Sequence, residues 1–178
     1  LAMRPFSFHV APNGEAAIDS SPGITVSAIN VQPFSRGEVK IESSDPSKRA
    51  SVHTNYLSDH RDVETLTNGI RKLREVMQQP SAAPRVVQEL EPGAAATSSE
   101  DIEVYLRKAA STVYHPVGTC RMGSDDGAVL DPQLRVRGVD GLRVIDASVM
   151  PKIISGNTNA PTIMIGEKGS DLVLADAR

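Results

Sequence analysis

The spacing of the hydrophobic residues changes near residue 60, and this change restricts the fold more than any other feature. In residues 24–28 and 39–42, apolar and polar side chains alternate, which predicts half-buried strands. A short segment containing Pro, Ser and Gly, residues 33–37, separates these two runs, so we expect them to pair as an antiparallel hairpin. From residue 62 to residue 78 the apolar side chains recur at three- and four-residue steps, which predicts an amphipathic helix.

The ends of this helix and the start of a second one carry their own signals. We expect Asp59 or Asp62 to cap the first helix and Pro80 to stop it. Residues 97–100, Thr-Ser-Ser-Glu, have the pattern of a capping box and predict the start of a second helix, which runs to Ala109.

The last third of the chain is rich in glycine and turn-forming dipeptides. Residues 142–146 predict a short strand that ends in an acidic residue. Pro161 suits the first turn of a third helix, because its missing N–H costs nothing there. Residues 157–160 then lie at a helix N-terminus, which favours anions and oxygen-rich groups. We expect the buried face of this helix to contain Ile163, Met164, Ile165, Leu172, Val173 and Leu174.

Charge and cysteine content exclude several classes of function. The chain has 19 basic and 22 acidic residues, a net charge of −3 and no dense Lys/Arg run, so nucleic acid is not an expected partner. The single cysteine, Cys120, cannot form an internal disulfide. We interpret it as a buried neutral thiol and expect no metal site, because a Cys–His pair lacks both the ligand count of a metal site and the orienting group of a nucleophile.

One of the four histidines stands out by its context. His9, His53 and His60 are interpreted as surface or structural residues. His115 precedes Pro116, which biases it away from helix, in a loop whose glycines let another group approach the backbone. On the residues alone, functional and structural roles both stay open for His115. The nearby carboxylates are interpreted as solvated turn residues: Asp125, Asp126 and Asp131.

Three ordered motifs in the second half of the chain carry a resemblance to one enzyme family. They are residues 115–123 (HPVGTCRMG), 129–148 (VLDPQLRVRGVDGLRVIDAS) and 155–168 (SGNTNAPTIMIGEK). In this order and spacing they closely resemble the C-terminal portion of the glucose-methanol-choline (GMC) oxidoreductases. Weaker similarity in residues 35–43 and 55–57 extends the resemblance over most of the chain.

The resemblance implies an FAD-dependent oxidoreductase that acts on the CH–OH group of a small-molecule alcohol. In this family the histidine that matches His115 lies at the flavin and accepts, or helps to accept, the alcohol proton. The residue that matches Asn157 hydrogen-bonds the substrate oxygen, and its Asn form is more similar to the branches that oxidise choline and aliphatic alcohols than to the glucose oxidases. Without the resemblance, Asn157 would be interpreted as a turn residue.

The resemblance also implies two segments that contact the cofactor. Asp146 and Ala147 match a stretch that approaches the phosphate and ribityl region of FAD. Asn159, Ala160, Pro161 and Thr162 match a stretch that passes close to the isoalloxazine ring.

Together, the patterns and the resemblance imply an α+β fold in two parts. We expect residues 1–110 to form an antiparallel or mixed sheet with helices on one face, as in a GMC substrate-binding domain, with residues 6–10 as a further strand. Residues 111–178 are expected to complete the FAD-binding domain.

One family feature is absent, because no Gly-x-Gly-x-x-Gly turn occurs in the sequence. We therefore expect a C-terminal fragment whose partner is a missing N-terminal FAD-binding portion. Alone, it is expected to hold no FAD, to show no activity and to expose apolar surface through which it can self-associate.

The remaining expectations concern location and rival functions. No apolar run reaches the ~18 residues that a membrane span needs and no secretion signal is evident, so we expect a cytoplasmic protein, with peripheral membrane association of the full enzyme left open. Two alternative functions also stay open. One is a non-catalytic binding or interaction module, and the other is a GMC-like lyase that keeps the flavin but performs no redox chemistry.

Overall fold

A computed structural model describes residues 1–10 and 16–177 and has the expected α+β composition. Over these residues the strands are β1 (Ala2–Arg4), β2 (Phe8–Val10), β3 (Ala16–Ile18), β4 (Thr25–Ser27), β5 (Glu38–Lys40) and β6 (Ser51–His53). The α-helices are α1 (His60–Met77), α2 (Ser99–Ala109) and α3 (Asn159–Asp176), and two 3₁₀ turns lie at Ala83–Arg85 and Ala147–Val149.

The strands pair antiparallel in three separate two-stranded ladders, β1 with β4, β2 with β3, and β5 with β6. The predicted hairpin between β4 and β5 is therefore wrong. The alternation of apolar residues correctly located both strands, but it carries no information on which strand becomes the partner. Residues 6–10 do contain a strand, β2, whose partner β3 follows directly along the chain.

The chain divides into two compact units. The first unit contains residues 1–30 and 57–110, and the second contains residues 31–56 and 111–178. One boundary between the units lies after Ala110, and residues 31–56 belong to the same unit as residues 111–178.

In the first unit, both predicted helices form and both carry side-chain caps. Asp59 caps α1 by accepting a hydrogen bond from the backbone N–H of Arg61 at 3.0 Å. Of the two proposed caps, Asp59 and Asp62, the first is therefore the one used. The capping box of α2 joins Ser98 and Asp101, one residue later than predicted.

The core of the first unit lies between α1 and α2. Its buried side chains are Leu57, Val63, Ile102 and Leu106, with Leu66 and Ile70 packed against them. Leu57 precedes α1, and the other residues fall at helical spacing on the two helices, so a single face of each helix supplies most of the core.

The second unit has a core built mostly from loops. Its buried residues are Leu130, Leu134, Val149, Met150 and Ile165. The strand predicted over residues 142–146 is not formed, since this segment contributes only an isolated bridge between Arg143 and Arg135. Asp146 instead caps the 3₁₀ turn at Ala147–Val149.

The predicted buried face of α3 is also wrong in part. Of the six apolar residues assigned to it, Ile165 is buried and Leu172 is half-buried. The other four are exposed: Ile163, Met164, Val173 and Leu174. Consecutive residues project about 100° apart around a helix of 3.6 residues per turn, so runs such as 163–165 cannot all face one core.

Over the described residues, no helix combines the length and the apolarity that crossing a bilayer requires.

Candidate active site

His115 lies in a loop of the second unit and contacts the beginning of α3. Its Nδ1 atom lies 2.9 Å from the hydroxyl Oγ1 of Thr158, and its side chain is partly buried. The preceding residue, Tyr114, has a φ of 62°, so the chain turns sharply just before the imidazole. Among the residues that the structure describes, none hydrogen-bonds the second ring nitrogen, Nε2.

The loop that follows His115 is held against the 3₁₀ turn at Ala147–Val149 by backbone contacts. The N–H of Cys120 donates to the carbonyl of Ser148 at 3.1 Å, and the N–H of Met122 donates to the carbonyl of Val149 at 2.9 Å. Gly118 has a φ of 90°, and a Cβ there would meet the carbonyl of Met150 at 3.4 Å. A glycine is required at this position because the left-handed conformation disfavours other residues.

The first predicted cofactor segment lies at this same turn. The Asp146 carboxylate is exposed and accepts the N–H of Ser148 at 2.8 Å. Ala147 is partly buried and packs against the core of the second unit. The turn also packs against α3, which brings this segment close to the helix that carries the other predicted site residues.

The second predicted cofactor segment forms the first turn of α3. Asn159 and Ala160 are exposed, whereas Pro161 and Thr162 are partly buried. The N–H groups of Asn159 and Ala160 belong to the first helical turn and therefore have no acceptor within the helix. Thr162 differs, because its N–H and its hydroxyl both donate to the carbonyl of Thr158, at 3.0 and 2.6 Å.

Asn157 precedes this turn and its side chain is exposed. It is adjacent in the chain to Thr158, the residue that contacts His115. Within residues 1–10 and 16–177, no direct hydrogen bond joins His115 to Asn157 or to Asp146. The structure therefore places the imidazole at the N-terminus of α3 without linking the predicted site residues to each other.

Thr158 was not predicted as a site residue. The only signal in the sequence is a Thr at the start of a helix, and such residues are most often simple N-caps. Its contact with His115 joins residues 43 positions apart, which no local pattern reveals.

The carboxylates in the turn after His115 have structural partners. Asp125 forms an ion pair with both terminal nitrogens of Arg121, at 2.8 and 2.6 Å. The side-chain hydrogen bonds from this guanidinium hold the pKa of Asp125 far below its usual range. Asp131 accepts the backbone N–H groups of Gln133 and Arg135, at 2.8 and 3.0 Å. These carboxylates organise the turn.

Cys120 is only partly buried, so the interpretation of it as a buried thiol needs correction. Over the described part of the chain, no group of three or more His, Cys, Asp or Glu side chains has the arrangement of a metal site.

Comparison with known proteins assigns the chain to a family. It is 45% identical over 178 residues to an oxygen-dependent choline dehydrogenase of Escherichia coli, covering 97% of this chain and 32% of that protein. It is 44% identical over 152 residues to an alcohol dehydrogenase [acceptor] of Pseudomonas putida, covering 85% of this chain and 28% of that protein. The chain thus spans about a third or less of these relatives.

A solved structure and a family model agree with these relatives. An FAD-dependent oxidoreductase from Chaetomium thermophilum superposes with a TM-score of 0.77 at 32% identity, over 83% of this chain and 26% of that one. The model of the GMC oxidoreductase family matches residues 33–166, which is well over half of the chain. The chain therefore belongs to the GMC oxidoreductase family.

Proposed function

We propose that the protein carrying this chain oxidises an alcohol with FAD, and that His115 accepts the hydroxyl proton while Asn157 hydrogen-bonds the alcohol oxygen. The observation that carries the proposal is the position of His115. Its imidazole contacts Thr158 at the N-terminus of α3, and Thr158 directly follows Asn157 in the chain.

The proton transfer follows from the chemistry of alcohols. An alcohol carbon releases a hydride readily only as its oxygen gains negative charge, so a base must take the hydroxyl proton. A neutral imidazole can do this through an unprotonated ring nitrogen. Because Nδ1 of His115 is engaged by Thr158, Nε2 is the nitrogen available to the alcohol.

Asn157 can stabilise the negative charge that develops on the oxygen. Its carboxamide NH₂ is a donor on an exposed side chain, so an incoming alcohol can reach it without displacing a core residue. Donors placed where charge develops lower the barrier. The adjacent helix N-terminus favours the same charge through its dipole.

The residues at the two predicted cofactor segments fit FAD. The first turn of α3 presents free N–H groups at Asn159 and Ala160, and no bulky side chain stands at Ala160 or Ala147 to block a flat ring or a ribityl chain. The Thr162 side chain can offer a ligand only its oxygen lone pairs, because its hydroxyl already donates a hydrogen bond to the carbonyl of Thr158. When bound, FAD supplies the hydride acceptor that amino-acid side chains lack.

The proposed substrate is a small alcohol, as the names of the relatives suggest. Choline and short primary alcohols are the compounds to test first, since this chain is 45% and 44% identical to a choline dehydrogenase and an alcohol dehydrogenase, respectively.

The test is anaerobic reduction of the flavin in the complete, flavin-loaded protein. The loss of the visible absorbance of the flavin measures its rate. With His115→Ala, the rate with the best alcohol is expected to fall about 10²- to 10⁴-fold, the usual contribution of a positioned base. His60→Ala is the matched control, because His60 is exposed and its ring pairs with Glu64 on the same helix. A His115→Ala rate within twofold of wild type contradicts the assignment.

A second variant tests the alcohol-oxygen contact. Asn157→Ala is expected to raise the barrier by about 2–4 kcal/mol, as loss of one oxyanion donor does, while the flavin stays bound. Loss of flavin with an unchanged rate per bound flavin would support a purely structural role for this turn. A flavin that stays oxidised with every alcohol tried would favour the lyase alternative.

A further inference from the structure

We propose that Thr158 is a positioning residue that holds His115 in the tautomer protonated on Nδ1 and so leaves the lone pair of Nε2 free. This inference rests on the proposed function, because the role of Nε2 as the base is what selects Nδ1–H as the donor. The contact itself, 2.9 Å between Nδ1 and Oγ1, is a feature of the chain.

The Thr158 hydroxyl does not cap its helix. Thr158 is the N-cap residue of α3, yet its side chain makes no capping hydrogen bond. An N-cap oxygen normally accepts from the N–H two or three residues further on. Three residues after Thr158 stands Pro161, which has no N–H, so one of these two bonds cannot form. The other, from the N–H of Ala160, is not made either, and the hydroxyl contacts His115 instead.

Thr158 is a rigid support for the imidazole. It is only 8% exposed. Its carbonyl accepts both the N–H and the hydroxyl of Thr162, at 3.0 and 2.6 Å, which fixes its backbone at the helix start. A β-branched side chain has few accessible rotamers, so Oγ1 has little freedom to move away from the imidazole.

The direction of the hydrogen bond between Nδ1 and Oγ1 decides whether Nε2 can act as a base. If Oγ1–H donated to Nδ1, then Nε2 would carry the hydrogen of the neutral ring and could not act as a base. If Nδ1–H donates to Oγ1, then Nε2 is unprotonated and can accept. When Nε2 takes the alcohol proton, Nδ1–H continues to donate to the same oxygen, and the Thr158 hydroxyl keeps its own proton throughout. Only this arrangement keeps the hydrogen bond through both protonation states without a rearrangement.

The tautomer of His115 can be measured directly in the wild-type chain by NMR. Long-range ¹H–¹⁵N spectra of the chain labelled with ¹⁵N-histidine distinguish the protonated ring nitrogen from the unprotonated one, and a His115→Gln sample assigns the signals. The wild-type chain is expected to show His115 protonated on Nδ1. A ring protonated mainly on Nε2 would overturn the inference, even if His115→Ala slows flavin reduction and so supports the proposed function.

Variants of Thr158 supply a second, independent readout. Thr158→Val keeps the shape and removes the hydroxyl. In the chain it is expected to abolish the tautomer preference. In the complete, flavin-loaded protein it is expected to lower kcat for flavin reduction about 10- to 100-fold, the range for a reactive group set slightly out of place. Thr158→Ser is expected to restore both, since it restores the hydroxyl.

The matched control is Ser170→Ala, which removes an exposed hydroxyl from the same helix, where it donates only to the carbonyl of Gly166. It is expected to change neither readout. Wild-type tautomer and wild-type kcat in Thr158→Val would overturn the positioning role. An unchanged kcat in His115→Ala would instead overturn the proposed function and leave the tautomer result to stand on its own.

Discussion

The two compact units are stabilised in different ways. The first unit packs the apolar faces of α1 and α2 together, and each helix begins at a side-chain cap, Asp59 or Ser98. The second unit, apart from α3, consists mostly of loops, which are joined by backbone hydrogen bonds around a small core. Its stability therefore depends on backbone conformation more than on regular elements.

All of the predicted site residues belong to the second unit. His115 stands on a loop, Asp146 caps a short turn, and residues 157–162 span the start of α3. Loops bring together residues that are distant in sequence and leave their side chains free for ligands, whereas paired amphipathic helices use theirs for packing. On the proposed function, the reacting residues belong to the second unit, whereas the first unit contributes a packed helical core.

The sharpest test of this contrast is truncation of the helix core. Ile102 is fully buried between α1 and α2, so Ile102→Ala is expected to lower the free energy of unfolding by about 2–5 kcal/mol, measured by urea denaturation followed by circular dichroism. Val104→Ala on the same helix is the control, because Val104 is 66% exposed, and it is expected to change stability by about 0.5 kcal/mol or less. Equal losses in the two variants would show that this core does not carry the unit.

Glycines in α3 test the dependence of the second unit on close backbone packing. A Cβ on Gly169 would lie at or within 3.0 Å of three side-chain carbons of Ile145, so Gly169→Ala is expected to cost about 1–2 kcal/mol of stability. A Cβ on Gly166 would meet nothing within 4 Å, so Gly166→Ala is expected to stabilise the chain by about 0.5–1 kcal/mol through helix propensity. Thermal denaturation measures both variants, and the same sign for both would contradict the packing argument.

The smallest expected effect concerns acid stability in the first unit. The Arg61 side chain, with its backbone N–H, lowers the pKa of Asp59 from 3.8 to about 2. A depressed pKa contributes stability that is fully present above the unfolded value and is lost as the pH falls through the folded one. Loss of stability between pH 4 and pH 2 should therefore be shallower in Asp59→Asn, which keeps a capping oxygen but does not titrate.

The measurement for this variant is the melting temperature at a series of pH values from 5 downwards. Because the Asp59 side chain is on the surface, the difference is expected to shrink in high salt. An identical pH dependence in wild type and Asp59→Asn would show that this ion pair contributes nothing to acid stability.

The sequence predicted the first unit's helices well because their signals are local. The apolar spacing of residues 62–78 and the capping box at Ser98 lie within the elements that they define. Strands β2, β4 and β5 were located for the same reason, whereas the strand predicted over residues 142–146 does not form. The strand partners were not located, since β4 pairs with β1 and β5 pairs with β6 across separations that alternation does not encode.

The candidate site shows the same difference between local signals, which the sequence carries, and long-range contacts, which it does not reveal. His115 could be singled out from its loop and its motif, and Asn157 from the motif that precedes α3. Thr158 could not, because its significance depends on a contact over 43 residues and on a capping bond that Pro161 removes. The exposed residues of α3 could not be recognised either, since a helix with apolar residues all around it does not reveal which face meets the core.

The sequence by itself determined where α1, α2 and α3 form, where the chain turns, and which motifs relate it to the GMC oxidoreductases. Those properties arise from neighbours in the chain, through side-chain spacing, capping and the restrictions of Pro and Gly. Tertiary structure alone decided the strand partners, the buried side of α3 and the placement of the His115 imidazole on the Thr158 hydroxyl. Each of these is a choice among several contacts that are locally acceptable, and it is made by the combined packing of segments far apart in the sequence.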